Sequence, residues 1–406
     1  MTTPARAIST VALLGSAQTL AWASSYYLPA MLATPMARDL GITAPTVFAA
    51  FSLALLVSAA LGPFAGRAID RWGGRPVLVA SNGVFALGLV GLGLAPGPTA
   101  MFAAWVLLGI GMASGLYEAA FAALVRLHGH ASRNLITGIT LIAGFASTVG
   151  WPLTTLLETQ IGWRGACFAW AGLHLLLGMP LNLALPRAGP QLPPGVAAGA
   201  AASGPEPEGA GRRRAALILA FVFAVTWFVS TAMAAHLPRL LQAGGATLAA
   251  AVAIGALVGP AQVGGRLLEF GVLRHVHPLL SARLAALMHP VGAALLAVVG
   301  APLAALFAIL HGAGNGILTI AKGTLPLVLF GPHGYGLRQG VLMVPARVAQ
   351  ASAPWLFGIL LDRFGAGALW FSSPLGLAAF AALLLLPKPT AALASEPGPA
   401  ATAAAP

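Results

Sequence analysis

Residues 62–75 read Gly62-Pro63-Phe64-Ala65-Gly66-Arg67-Ala68-Ile69-Asp70-Arg71-Trp72-Gly73-Gly74-Arg75. A degraded copy follows about half a chain later: Gly259-Pro260-Ala261-Gln262-Val263-Gly264-Gly265-Arg266-Leu267-Leu268-Glu269-Phe270-Gly271. Arg67 and Asp70 fall on Arg266 and Glu269, both at an offset of 199 residues. Each copy stands where a long apolar run ends in a short charged loop. A duplicated apolar array with the same charged hinge in each half is the layout of folds whose repeats rock around a site between them.

The composition sets the solvent. Hydrophobic residues make up 58% and charged residues 7% of the 406 residues, against roughly 25% charged in a globular domain. Much of the chain therefore faces hydrocarbon, and a soluble protein is excluded. Fifty glycines and 31 prolines would disrupt soluble helices but are tolerated in a membrane, where neighbouring helices satisfy the freed backbone groups. The single Cys167 excludes an intramolecular disulfide and a cysteine-based metal site. His174, His289 and His311 lie on different apolar runs without ligand spacing and read as packing residues, so neither metal nor cofactor is expected. Arginine outnumbers lysine 19 to 2 in an alanine-rich chain, which points to a GC-rich bacterial genome and to its cytoplasmic (inner) membrane.

Runs long enough to cross a bilayer number twelve, at about 9–34, 44–66, 76–96, 99–126, 134–159, 165–186, 215–237, 247–268, 279–300, 302–331, 339–361 and 367–387. Arg6 gives the first run the look of a signal peptide, but its removal would leave eleven spans and break the match between halves. The predicted fold is an all-α membrane protein of twelve helices in two six-helix bundles related by a pseudo-twofold axis. Residues 1–186 form the first bundle, 187–214 a Pro/Gly/Ala-rich linker holding Glu206, Glu208 and Arg212 to Arg214, 215–387 the second bundle, and 388–406 a disordered tail.

Charge fixes the orientation. With the N-terminus inside, one side holds Arg6, Arg67, Arg71, Arg75, Arg126, Arg133, Arg187, Arg212, Arg213, Arg214, Arg266, Arg274, Arg283, Arg338 and Lys388, fifteen in all. The other side holds four: Arg38, Arg164, Arg239 and Arg363. Basic residues collect in cytoplasmic loops, so both termini are expected in the cytoplasm. The same bias explains the net charge of +12 without a nucleic-acid partner.

The repeat extends past the hinge. Gly138 and Pro152 in span 5 fall on Gly340 and Pro354 in span 11, at an offset of 202. Gly162-Trp163-Arg164 has a counterpart in Asp362-Arg363-Phe364-Gly365, and Tyr27-Leu28-Pro29 in His236-Leu237-Pro238. On these matches the chain resembles the major facilitator superfamily over essentially its whole length. The hinge of that family, Gly-x-x-x-Asp-(Arg/Lys)-x-Gly-x-(Arg/Lys), has its places filled by Gly66, Asp70, Arg71, Gly73 and Arg75. The second copy departs from it: Glu269 replaces the aspartate, Phe270 replaces the base, and Arg274 lies further along. The resemblance implies alternating-access transport by a monomer. It also implies a gating role for the first hinge, whose acid and bases pair across helix ends to hold the outward-open state, with Arg266 and Glu269 as the second copy. The plainer reading is that Asp70 and Arg71 only cap and anchor a helix end.

Three charges remain inside the spans: Glu118 in span 4, Lys322 in span 10 and Arg347 in span 11. Each lies nine or ten residues from the hinge-side end of its span. At roughly 1.5 Å per residue that is about 15 Å, the middle of a ~30 Å core. Charges there face a partner or a water-filled cavity. The family's cavity is lined by helices 1, 4, 7 and 10, which by resemblance places Glu118 and Lys322 in it. Glycines precede both: Gly109, Gly111 and Gly115 before Glu118, and Gly312, Gly314 and Gly316 before Lys322. Such spacing lets helices approach closely. The three charges sum to +1, which favours a small organic anion, with Arg347 suited to a carboxylate or phosphate. Glu118 either bridges to Lys322 or Arg347, or takes up a proton and couples transport to the proton gradient. A purely structural ion-pair set is the plainer alternative. Tyr117 and Asn315 are the first neutral candidates, ahead of Trp22, Tyr26, Tyr27 and His236.

Arg133-Asn134-Leu135-Ile136-Thr137-Gly138 partly resembles the opening of helix 5 in monocarboxylate and oxalate/formate-type transporters; the acidic-glycine-aromatic motif of helix 1 is absent from residues 17–22. A drug exporter that uses Glu118 as its acid is the alternative, although the Gly-Pro-x-x-Gly-Gly string of that group is also missing. No positioned nucleophile or acid/base pair suggests an enzyme.

Overall fold

The computed structural model describes residues 4–188 and 209–386; most of the expected linker and all of the expected tail at 388–406 lie outside the described residues. Among the described residues, sixteen α-helices carry the fold and no strand occurs. Span 1 is α1 (Pro4–Ser24) and α2 (Leu28–Asp39), and spans 2 and 3 are α3 (Ala44–Trp72) and α4 (Gly74–Gly93). Span 4 is α5 (Pro98–Gly115) and α6 (Tyr117–His128), and span 5 is α7 (Ser132–Ala143) with the first part of α8 (Ala146–Leu173). The rest of α8 continues through a π turn into α9 (Met179–Leu183) as span 6. In the second half, α10 (Gly209–Ala243) is span 7, and α11 (Leu248–Ala256) with α12 (Val258–Gly271) is span 8. Spans 9 to 12 are α13 (Pro278–Val299), α14 (Ala304–Phe330), α15 (Tyr335–Phe364) and α16 (Leu369–Leu384).

Among the described residues, eight continuous helical stretches are long and apolar enough to cross a membrane, and two of them hold more than one crossing. The stretch Pro98–Leu183 has 86 residues, which at 1.5 Å each would extend about 130 Å, several bilayers deep. It folds back at the 3₁₀ turn Gly129–Ala131 and at Gly162, whose backbone is not helical. Tyr335–Leu384 turns at Gly365–Ala368. With the broken first span the total is twelve. Large apolar side chains such as Leu176, Val298, Phe64 and Trp355 point outward and are mostly exposed, as a lipid-facing surface requires. Arg212 to Arg214, which the sequence places in the linker, lie in the first turns of α10.

The two halves repeat in detail. A side chain at Gly109 would press on the carbonyl of Ala54, and one at Gly312 on the carbonyl of Val258; these are the span 2–span 4 and span 8–span 10 crossings, packed backbone to backbone through glycine. At the end remote from the hinge, Asp39 pairs with Arg164 at 2.9 Å, and Arg239 pairs with Asp362. Each pair ties the far end of the first span of its half to the turn between the fifth and sixth, with the signs exchanged. Between the halves, α3 packs along α15, and α7 packs on α12 and α14.

Candidate functional site

Span 4 is broken at its middle. Leu116 is extended (φ −88°, ψ −168°), and a new helix starts at Tyr117 with Glu118 in its first turn. The unpaired N–H groups and positive end of that half-helix favour a carboxylate beside them. Span 1 is also broken, at residues 25–27, with the part-buried Tyr26 and Tyr27 at the interruption. Broken helices at the midplane are where transporter folds build their sites, because backbone freed from the helix can serve a ligand.

The Glu118 carboxylate accepts a hydrogen bond from Arg347 Nη2 at 2.8 Å. Arg347 Nη1 donates to Gln350 Oε1 at 2.9 Å, and Gln350 Nε2 donates to the Tyr26 hydroxyl at 2.9 Å. A polar chain thus runs from span 4 across span 11 to span 1, joining the two halves. Of the two expected bridges from Glu118, this one forms, with Arg347 buried and Glu118 partly open.

Among the described residues no carboxylate lies within ion-pair distance of Lys322, although Glu118 is near enough to act on it electrostatically. Lys322 is 4% exposed, and its ammonium makes no hydrogen bond. It sits 3.9 Å from the centre of the Trp227 ring, a cation–π contact, with the Arg347 guanidinium 5.6 Å from the same ring. Trp22, from the other half, lies nearly parallel to Trp227 with ring centres 6.4 Å apart. The Tyr117 ring packs between Trp22 and Phe121 at 4.9 and 5.3 Å. The indole N–H groups of Trp22 and Trp227 are both buried without an acceptor.

Arg266 is where the sequence reading and the structure part company. Its position in the second hinge assigns it to a charged loop. In the structure it is 6% exposed, and its Nε and Nη1 are buried without a hydrogen-bond partner. Its guanidinium fills the break between α7 and α8: a side chain at Gly144 would collide with Nη1. It is close enough to Lys322, Tyr27 and Tyr117 to act on each electrostatically. The central cluster therefore holds four charges rather than three, and they sum to +2.

Other sequence candidates fall elsewhere. Asn315 lines a small cleft between α10, α13, α14 and α16, beside Thr226, Ser230, His289 and His311, and does not join the Glu118–Arg347 pair. His236 Nε2 bonds the carbonyl of Pro354 at 2.7 Å, and Tyr27 packs edge-on against Trp151 and Tyr26. The histidines read as scattered are not all so: His289 and His311 meet ring nitrogen to ring nitrogen at 3.0 Å, with Ser372 at 3.1 Å from the far side of His289. His174 is held between Ser24 and Asn82. The helical hairpin of α13 and α14 brings together two residues 22 apart, which no local spacing signals.

The hinge closes one end of the molecule. Asp70 Oδ1 and Oδ2 accept the backbone N–H groups of Gly336 and Leu337 at 2.9 and 2.8 Å. It thereby caps the N-terminus of α15 from the opposite half, where the helix dipole adds attraction for a negative charge. Gly66 lies directly against Gly336, and Gly62 against Gly340; a Cβ at Gly66 or Gly336 would overlap backbone atoms. Gly73 ends α3 at φ 84° and is followed at once by α4, a turn that requires glycine. Arg71 lies near the Trp72 ring, 5.7 Å from its centre, and among the described residues no carboxylate lies within ion-pair distance of Arg71 or Arg75. In the second copy, Glu269 stands 3.9 Å from Arg133, whose Nη2 also donates to the carbonyl of Val276 at 2.7 Å.

Comparison with known proteins bears on the family and the fold. A family profile described as Major Facilitator Superfamily matches residues 14–321. A protein of Thermoproteus tenax described as an uncharacterised 38 kDa protein in the 23S RNA operon is 28% identical over 361 residues, 87% of this chain and 89% of that one. Among solved structures, the human organic anion transporter MFSD10 (TETRAN) matches with a TM-score of 0.69 at 18% identity, over 94% of this chain and 100% of that chain. The proton:xylose symporter XylE matches at 0.71 and 14% identity, over 94% and 95%.

Proposed function

The chain belongs to the major facilitator superfamily and is a secondary transporter; on that premise we propose that it carries a small organic anion past the cluster of Lys322, Arg266 and Arg347 by alternating access. The observation that carries this reading is the pair of buried cations, Lys322 and Arg266, that have no carboxylate within ion-pair distance among the described residues; Glu118, already bonded to Arg347, acts on Lys322 only through its field. A charge left uncompensated at the bilayer midplane costs several kcal/mol, so a site that keeps two is built for an anionic ligand. The indole N–H groups of Trp22 and Trp227 add donors that lack acceptors. The Glu118–Arg347 pair, by contrast, is already neutral as a unit.

In this reading the basic-residue bias supports a cytoplasmic hinge end, and the arginine-rich, alanine-rich composition supports a bacterial inner membrane. The Asp70 cap and the Gly66–Gly336 contact then form a closed cytoplasmic gate. Glu118 is the proton site in this scheme. A proton on its carboxylate would release Arg347 to the substrate, coupling proton and anion in one step. The aromatic walls formed by Trp22, Tyr117 and Trp227 favour a second reading, a proton-coupled exporter of lipophilic compounds.

A thermal-shift panel on the purified protein separates the two. Small mono- and dicarboxylates, amino acids, sugars and lipophilic cations are compared on wild type, Lys322→Gln and Arg347→Ala. Stabilisation by carboxylates that weakens in both variants supports the anion carrier. Stabilisation only by lipophilic compounds, unchanged in Lys322→Gln, would replace it with the exporter.

A further inference from the structure

We infer that the substrate is a dianion, a small molecule with two oxyanion groups, and that Arg266 is the residue that answers its second charge. The inference rests on the anion reading above and narrows it by charge count. While Glu118 is ionised, before a proton joins it, it and Arg347 cancel through their 2.8 Å bond. Lys322 and Arg266 remain, each buried and each without a carboxylate. A monoanion would neutralise one and leave the other uncompensated in a low-dielectric interior; a dianion neutralises both.

Both cations rest on weak contacts that a ligand can replace. Lys322 lies on the face of Trp227. Arg266 lies in the break after α7, and the carbonyl oxygens of Thr140 and Leu141 are within about 3 Å of where a Gly144 side chain would start, the point that Nη1 crowds. Those carbonyls belong to the last turn of α7, the negative end of its dipole, which favours a cation without pairing it. No hydrogen bond from Nε or Nη1 holds the guanidinium there, so turning toward an oxyanion breaks none. The chemistry required, a fork of N–H donors facing planar oxyanion oxygens, is shared by dicarboxylates and phosphate monoesters.

The test is a binding titration of the full-length protein in detergent with probes matched in length: butyrate against succinate, and methyl phosphate as the phosphate arm. Wild type is compared with Arg266→Gln and Arg266→Lys. The expected result is that succinate binds about tenfold or more tighter than butyrate to wild type, a gap of one charge contact. That advantage should vanish in Arg266→Gln, with butyrate little changed, and survive in part in Arg266→Lys. Displacement of succinate by methyl phosphate would show that either dianion source is accepted; failure to displace it would restrict the dianion to a dicarboxylate. Equal binding of butyrate and succinate to wild type would overturn the dianion inference and leave the anion carrier standing. Absence of binding by all three probes, with lipophilic compounds still bound, would remove the anion reading itself. Should Arg266→Gln not fold, the wild-type comparison and Arg266→Lys still decide.

Discussion

Asp70 and Gly336 meet across the two halves of the molecule: the carboxylate Oδ1 accepts the backbone N–H of Gly336 at 2.9 Å, and Oδ2 takes that of Leu337 at 2.8 Å. One acidic side chain of α3 therefore caps α15, and the cap exists only while the two helices are together. Loss of a helix cap costs about 1 kcal/mol, and up to ~2 kcal/mol in favourable cases. Asp70→Ala should therefore shift the closed hinge toward the open one by about tenfold. Hydrogen exchange at the amides of residues 335–342, followed by mass spectrometry, should speed up by about that factor. Unchanged exchange there would mean that the cap does not hold the gate.

The glycine crossing beside it makes a separate prediction. A methyl group at Gly66 would overlap the carbonyl of Gly336, whereas one at Gly264 meets nothing within 4 Å. Gly66→Ala should lose about 1–3 kcal/mol through overpacking. Gly264→Ala should be neutral or gain up to ~1 kcal/mol from helix propensity. Thermal unfolding of the two variants in the same detergent checks this, and equal melting temperatures would contradict it.

Glu118→Gln keeps the shape of the side chain and an acceptor for Arg347 but cannot take up a proton. Transport by this variant should lose the pH dependence that wild type shows, while the protein still elutes as a folded species. A profile unchanged from wild type would place the proton site on another residue.

His277 gives a pH effect on the hinge side. Its Nδ1 accepts the N–H of Leu279 at 3.1 Å and so caps α13, which needs an unprotonated ring. Burial, with Arg133 and Arg283 nearby, holds its pKa below the ordinary 6.5. The folded state is therefore neutral there when the unfolded chain begins to protonate. The stabilisation is complete above pH 6.5 and is lost as pH falls from that value toward the depressed folded pKa. His277→Asn, which keeps a capping acceptor, should flatten the fall in melting temperature below pH 6.5. A slope equal to that of wild type would show that His277 is not its source.

What the sequence discloses and what it hides follow from range. Spans and hinges are written in local hydropathy and local motif, so the twelve crossings, the Asp70 hinge and its copy are readable. The pairing of Glu118 with Arg347 was one of two bridges open to it, because depth was readable and direction was not. Arg266 was misplaced for a specific reason. Span 8 breaks at Leu257, and its second helix runs to Gly271, so Arg266 lies more than a turn inside the helix end, and its long side chain reaches further. Asn315 failed as a central candidate because helix rotation, which decides between the central cluster and the cleft beside His311, is set by packing against α10 and α13. The break at Leu116 had a sign in the preceding Gly109, Gly111 and Gly115, which read only as room for a neighbouring helix.

The central claim, that Lys322 and Arg266 stand ready for an anion, is tested most directly by flux. Purified protein in proteoliposomes is given labelled succinate outside and unlabelled succinate inside, and exchange is followed for wild type and Lys322→Gln. Saturable exchange in wild type, reduced at least about tenfold in Lys322→Gln, is the expected result. No succinate exchange in wild type, together with flux of a lipophilic cation that Lys322→Gln leaves untouched, would contradict it.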